Sequence, residues 1–199
     1  MNNVYWGYST DPQFERTEAV RLVRLALSMD DDDPDTLARA SLITSFMVGD
    51  SESAIEMADR AVALNPNSFS TWNARGWVHT SVGLHEEAVR SFERALRVSP
   101  GDPQLHLTFG GMGFAFIELG RFDGAIVWGK KAQRQNRSFP LSYYCLASGH
   151  LGRDAEAREA AARLREIDPA FTISAWIARG GLSNAKLLIE GLRKAGLPE

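Results

Sequence analysis

The 199-residue chain has a single cysteine, Cys145, which excludes an internal disulfide and leaves no thiol pair to share a metal. Its four histidines, His79, His85, His106 and His150, contain no i,i+4 pair, so the helical zinc spacing is missing as well. No stretch approaches the roughly 20 apolar residues of a membrane-spanning helix. Met1 to Thr10 lacks the basic and apolar segments of a signal peptide, and a reducing, cytoplasmic setting is therefore expected. There is no basic excess either: a net charge of −3 and a pI near 5.8 provide no general field for nucleic acid or anionic lipid. Neither nucleic acid nor membrane is an expected partner.

Motifs of chemistry are equally scarce. The acidic run Asp30 to Asp33, with Asp35, places Asp35 and Ser41 where a calcium loop needs glycine and glutamate. It reads instead as a solvated loop whose Asp33 or Asp35 caps the next helix. Gly110-Gly111-Met112-Gly113 lacks the spacing and preceding strand of a phosphate cradle, which leaves close helix packing or a kink. Cys145 reads as a buried structural thiol. No Ser, His and Asp grouping stands out by spacing. No catalytic, cofactor-binding or metal-binding residue is assigned, and the chain is not expected to be an enzyme.

What is abundant is periodicity. Hydrophobic residues make up 44% of the chain and charged residues 24%, enough apolar material for a core. Pro66 and Pro100 lie 34 apart, as do Gly49 and Gly83, Ala54 and Ala88, and Ala61 and Ala95. Each such unit has the logic of a helical hairpin. Small residues (Gly76, Ala88, Ala95) mark where two helices touch, Phe92 fills the space between them, Gly83 ends the first helix, and a proline follows the second. The second helix is expected over His85 to Val98, with Glu86–Arg90 and Glu93–Arg97 as i,i+4 pairs.

With Trp72, Gly76, Gly83, Ala88, Phe92, Ala95 and Pro100 in place, the unit Phe69 to Asp102 resembles the tetratricopeptide repeat. The preceding unit keeps Gly49, Ala54, Ala58 and Ala61 but has Ala38 where Trp72 would be. Downstream, Gly120 and Ala125 recur at a spacing of 37, so three residues are expected to lengthen or bend the first helix near Gly110 to Gly113. Gly152 and Ala157 follow at a spacing of 32. The expected fold is all-α: a single right-handed superhelical solenoid of antiparallel helix pairs, closed by a C-terminal capping helix. Its parts are a truncated repeat at 1–34 with Trp6-Gly7 as the remnant first helix, repeats at 35–68, 69–102, 103–137 and 138–170, and a cap at 171–199. Leu187, Leu188 and Leu192 form the apolar face of the capping helix, expected over Leu182 to Ala195.

The ending Ile189-Glu190-Gly191-Leu192-Arg193-Lys194-Ala195-Gly196-Leu197-Pro198-Glu199 is similar to the tail of bacterial, rhizobial-type class III adenylate/guanylate cyclases that carry such repeats after their catalytic domain. The resemblance implies a regulatory or docking region, with a catalytic domain in cis outside this chain. In tetratricopeptide arrays the first helices line the concave surface. Carried over by register, the partner-binding residues are Arg39, Phe46, Met47, Asn73, Trp77, Thr80, Phe114, Glu118, Ser142 and His150, with Ile43 and Leu146 in the same register. This set lacks paired lysines for a carboxylate clamp and suits a protein or peptide held by apolar contacts. Lys130, Lys131, Arg134 and Arg137 form one basic cluster, either a solvated outer face or a dock for an acidic partner. The leading function is a protein-interaction scaffold. The alternatives are a homodimerisation module covering an exposed N-terminal surface, and a free-standing adaptor.

Overall fold

A computed structural model describes residues 11–139, 143–144, 146, 154–178 and 185–199. These fall in two compact units, one ending at Pro100 and the other beginning at Gly101, a boundary that lies between repeats. All regular structure among the described residues is helical.

The first unit contains α1 (Pro12–Met29), α2 (Pro34–Ile43) continuing into a π-helical turn at Thr44–Val48, α3 (Ser51–Leu64), α4 (Phe69–Ser81) and α5 (His85–Val98). Aspartates start three of these helices. Asp11, Asp33 and Asp50 accept the N–H groups of Phe14, Thr36 and Ser53, each three residues on, at 3.0, 2.7 and 3.1 Å. Pro12 and Pro34 occupy the first turns of α1 and α2, where a missing N–H costs nothing. The acidic run is thus a capping loop, with Asp33 as the cap and Asp32 ion-paired to Arg60. Gly83, at φ +84°, carries the chain out of α4 in a left-handed conformation that a side chain would strain.

Within each hairpin the helices meet at small residues. Ala54, Ala58, Ala61, Ala88 and Ala95 are all fully buried. At the α4–α5 contact Phe92 lies against Gly76, so that a Cβ added at Gly76 would stand 2.4 Å from the ring. Leu37, Ala38, Ala61 and Ala74 form a neighbouring core cluster, and Leu27 of α1 packs on it. On the surface of α5, Arg97 reaches Glu93 at 3.9 Å as expected, and Arg90 forms its ion pair with Glu87 at i,i+3 while the charge of Glu86 adds to its attraction.

The second unit contains α6 (Leu105–Glu118), α7 (Phe122–Gln135), α8 (Asp154–Ile167), α9 (Ile173–Ala178) and α10 (Lys186–Lys194). Of the three residues expected to lengthen or bend the first helix near Gly110 to Gly113, one lengthens it. Helix α6 has 14 residues against 13 in α4, and the other added residues fall in the link Ser99–Gln104, which is longer than its counterpart Asn65–Ser68. The glycines Gly110, Gly111 and Gly113 are buried inside a continuous α6. Helix α10 begins at Lys186, with Leu188 and Leu192 fully buried. The residues after it are tied back by Ile173 N–H to the Pro198 carbonyl at 2.8 Å and by Arg165 to the Gly196 carbonyl at 2.5 Å. Trp6-Gly7, Cys145 and Gly152 lie outside the described residues.

Phe92 is 0% exposed and its ring lies against the bare backbone of Gly76, so Phe92→Ala leaves a cavity between α4 and α5. The substitution is expected to lower unfolding free energy by about 3–5 kcal/mol, read as a fall in the urea midpoint.

Candidate functional site

The residues expected to line a binding face divide sharply in the structure. On α4, Trp77 is 7% exposed and meets Phe92 edge-on at 5.8 Å. Thr80 is fully buried, and its hydroxyl donates to the Gly76 carbonyl of its own helix at 2.8 Å. Asn73 is also buried. In the second unit Phe114 is 1% exposed. Leu146 is buried too, while Ser142 and His150 lie outside the described residues. Register in a helix specifies which residues share a face, but not how much of that face its neighbours cover, and here most of it is covered.

Glu118 is engaged within the chain. Its carboxylate accepts the backbone N–H of Leu188 at 2.9 Å and of Leu187 at 3.4 Å, at the start of α10. Burial pushes its pKa up, and the two N–H donors oppose that shift. A glutamate expected to face a partner therefore serves as a cap for the last helix.

Arg39, Phe46 and Met47 remain at the surface of the first unit: Arg39 is exposed, and Phe46 and Met47 are half-exposed. The π turn explains part of this. Gly49 N–H bonds the Thr44 carbonyl, five residues back, at 2.9 Å, and none of the residues Thr44–Val48 is buried. Beside Met47 lies an open depression of about 490 Å³ whose other lining residues, Arg16, Thr17, Val20, Arg21 and Arg24, all come from α1. Sequence reasoning does not single out those arginines, because α1 reads only as the remaining half of a truncated repeat. Their signal is the recurrence of Arg at 16, 21 and 24, with Arg21 and Arg24 turned away from the helix face carrying Ala19, Val23 and Ala26 and Arg16 at its edge.

In the second unit Lys131 of the expected basic cluster sits over the Trp128 ring at 3.8 Å, and Trp128 stacks on Phe109 at 5.7 Å. Lys130, Arg134 and Arg137 are exposed. Among the described residues no group of three or more His, Cys, Asp or Glu side chains could hold a metal ion. No helix among them is long and apolar enough to cross a membrane.

Paired antiparallel helices with small residues at each crossing define a class of helical-repeat protein. Within that class, residues 48–103 match the tetratricopeptide repeat family, and the fold is the tetratricopeptide-repeat fold. Over 155 residues the chain is 28% identical to Superkiller complex protein 3 of Mus musculus, covering 75% of this chain but only 10% of that protein. Among solved structures it is similar to PilW, a widely conserved type IV pilus biogenesis factor, with a TM-score of 0.71 and 18% identity over 91% of this chain and 86% of that one. A thermophilic tetratricopeptide-repeat protein of Thermus thermophilus gives 0.68 and 22%, over 86% and 91%. YrrB, a tetratricopeptide-repeat protein with an unusual peptide-binding site, gives 0.58 and 20%, over 87% and 90%.

Burial holds the pKa of His79, His85 and His106 below that of a free imidazole. For His79, 3% exposed, the nearby Arg75 charge adds to the effect. A base whose folded pKa is depressed binds its proton more readily in the unfolded chain, so stability is complete above about pH 6.5 and falls as pH drops below it. The urea midpoint is expected to decrease from pH 7.5 to pH 5.5, with a slope of at most about 1.4 kcal/mol per pH unit per histidine. His79→Gln is expected to flatten that slope, and an unchanged profile would show that His79 does not contribute.

Proposed function

We propose that the chain is a non-catalytic scaffold holding a protein or peptide segment, and that it serves as the regulatory or docking C-terminal region of a bacterial nucleotide-cyclase-like signalling protein. The observation that carries the scaffold is the uncovered first-repeat surface, where Arg39, Phe46 and Met47 stay accessible and Met47 lines an open depression, while Asn73 and Thr80, the α4 counterparts of Arg39 and Phe46, are buried. A peptide-binding role has a counterpart among fold neighbours in YrrB. The cyclase connection rests on the resemblance read in residues 189–199 alone, and under it a catalytic domain preceding this segment would be the nearest partner. A reducing, cytoplasmic setting, read from the single Cys145 and the character of Met1 to Thr10, is part of the same proposal.

A second reading, self-association, is favoured by α1. Phe14, Leu22, Leu25 and Met29 are exposed, at 64%, 48%, 49% and 81%. At 3.6 residues per turn they fall within about 80° of one another on the helix. In a two-fold antiparallel contact between identical helices that sets Phe14 opposite Met29, Leu22 and Leu25 fall opposite Arg21 and Glu18, so apolar side chains meet at the two ends of the stripe.

A phage-displayed random-peptide library panned on the intact chain is expected to yield binders whose affinity drops about tenfold or more in Arg39→Glu/Met47→Asp. Failure to enrich any sequence, or binders indifferent to both substitutions, would sink the scaffold surface. Light scattering over a range of concentrations separates the second reading: a mass that rises with concentration and returns to monomer in Leu22→Glu/Leu25→Glu supports it, and one monomeric mass throughout rejects it.

A further inference from the structure

The depression between α1 and Met47 differs in charge from the chain that contains it. The whole protein carries −3, yet the lining residues include three arginines, Arg16, Arg21 and Arg24, and no carboxylate. The nearest acid on the same helix, Glu18, is already held by Arg21, whose Nε and Nη2 donate to it at 2.9 and 2.6 Å. A guanidinium has five N–H donors, so this pairing orients Arg21 and leaves three of them for another acceptor. Apolar surface adjoins the cations, from Val20 on one side and Met47 on the other.

The position in the repeat explains why the site is open. One period of 34 residues later, Ile43, Phe46 and Met47 correspond to Trp77, Thr80 and Ser81, of which the first two are buried. In the first repeat the same register ends in the π turn and stays accessible. That turn is tied to α4 through the hydroxyls of Ser45 and Ser81, which are in hydrogen-bond contact, so Met47 is carried on an anchored segment.

From this geometry we infer that the depression binds an extended acidic peptide segment carrying apolar side chains, its carboxylates on Arg21 and Arg24 and an apolar side chain on Met47. Arg16 to Arg24 spans eight residues of helix, about 12 Å, which matches about four residues of extended chain. Alternation in an extended peptide presents every second side chain to the same side, so the acidic side chains can face the arginines of α1 while the intervening apolar ones face Met47. The inference rests on the scaffold reading and names the chemistry of its partner.

The test is fluorescence anisotropy with the intact chain and a fluorescein-labelled hexapeptide of alternating glutamate and leucine. Saturable binding is expected, weakening as salt rises from about 0.05 to 0.5 M. It is expected to be reduced about tenfold or more by Arg24→Glu and by Met47→Asp, and unaffected by Lys130→Glu/Lys131→Glu. Circular dichroism is expected to show unchanged helicity in all variants, since the altered side chains are at the surface. Equal binding of the glutamine–leucine hexapeptide, indifference to Arg24→Glu, or loss only in the Lys130/Lys131 variant would overturn the site. So would binding of an oligothymidylate in place of the peptide. Binders from the peptide library that are not acidic, with no binding of the glutamate probe, would overturn this inference and leave the scaffold standing.

Discussion

The close approach of two helices at a position without a side chain governs much of this fold. Phe92 can lie between α4 and α5 only because Gly76 presents bare backbone to its ring. That contact brings Ala88 and Ala95 to full burial and seats Trp77 edge-on against the same ring. Because interiors pack at nearly crystalline density, an aromatic ring cannot be accommodated there by small adjustments elsewhere. The hairpin geometry, and with it the orientation of every first-helix side chain in the repeat, depends on that arrangement.

The second unit uses the same device with its members exchanged. Thirty-seven residues beyond Phe92 stands Gly129, which is buried and has no ring to offer. Instead Phe116 of α6 lies against Gly124 of α7, where an added Cβ would be 2.3 Å from the ring. In α4–α5 the glycine is on the first helix and the aromatic on the second; in α6–α7 the order is reversed. Trp128, stacked on Phe109 and capped by Lys131, fills out the outer side of that pair. Small-to-large complementarity persists while individual positions change, which is why a degenerate repeat still folds as helix pairs.

These relations explain what can be read from residues alone. Helix pairing is legible because alanines recur at a fixed spacing, an aspartate marks a helix start, and Gly83 marks an end; α5 appears within the expected limits. The added residues of the third repeat are misplaced by sequence because three glycines look like a site of irregularity. Glycine inside a buried helix instead relieves crowding, and two of the three added residues go into the link before α6. The binding face is only partly legible. Trp77, Thr80 and Phe114 share the expected register, but their burial depends on what neighbouring elements cover, which spacing does not encode. Glu118 is lost to a contact 70 residues away, and the π turn that exposes Met47 has no local sequence signature.

The dependence of the hairpin on the Gly76–Phe92 contact is tested most directly by a double-mutant cycle. Gly76→Ala would be measured by urea unfolding in the native background and again in a Phe92→Leu background. The general helix-forming advantage of alanine over glycine is common to both arms and cancels. Steric exclusion predicts that the added methyl costs more beside phenylalanine than beside leucine, with a coupling energy above about 1 kcal/mol. Additivity within about 0.3 kcal/mol would contradict the account, because the ring and the missing side chain would then be independent.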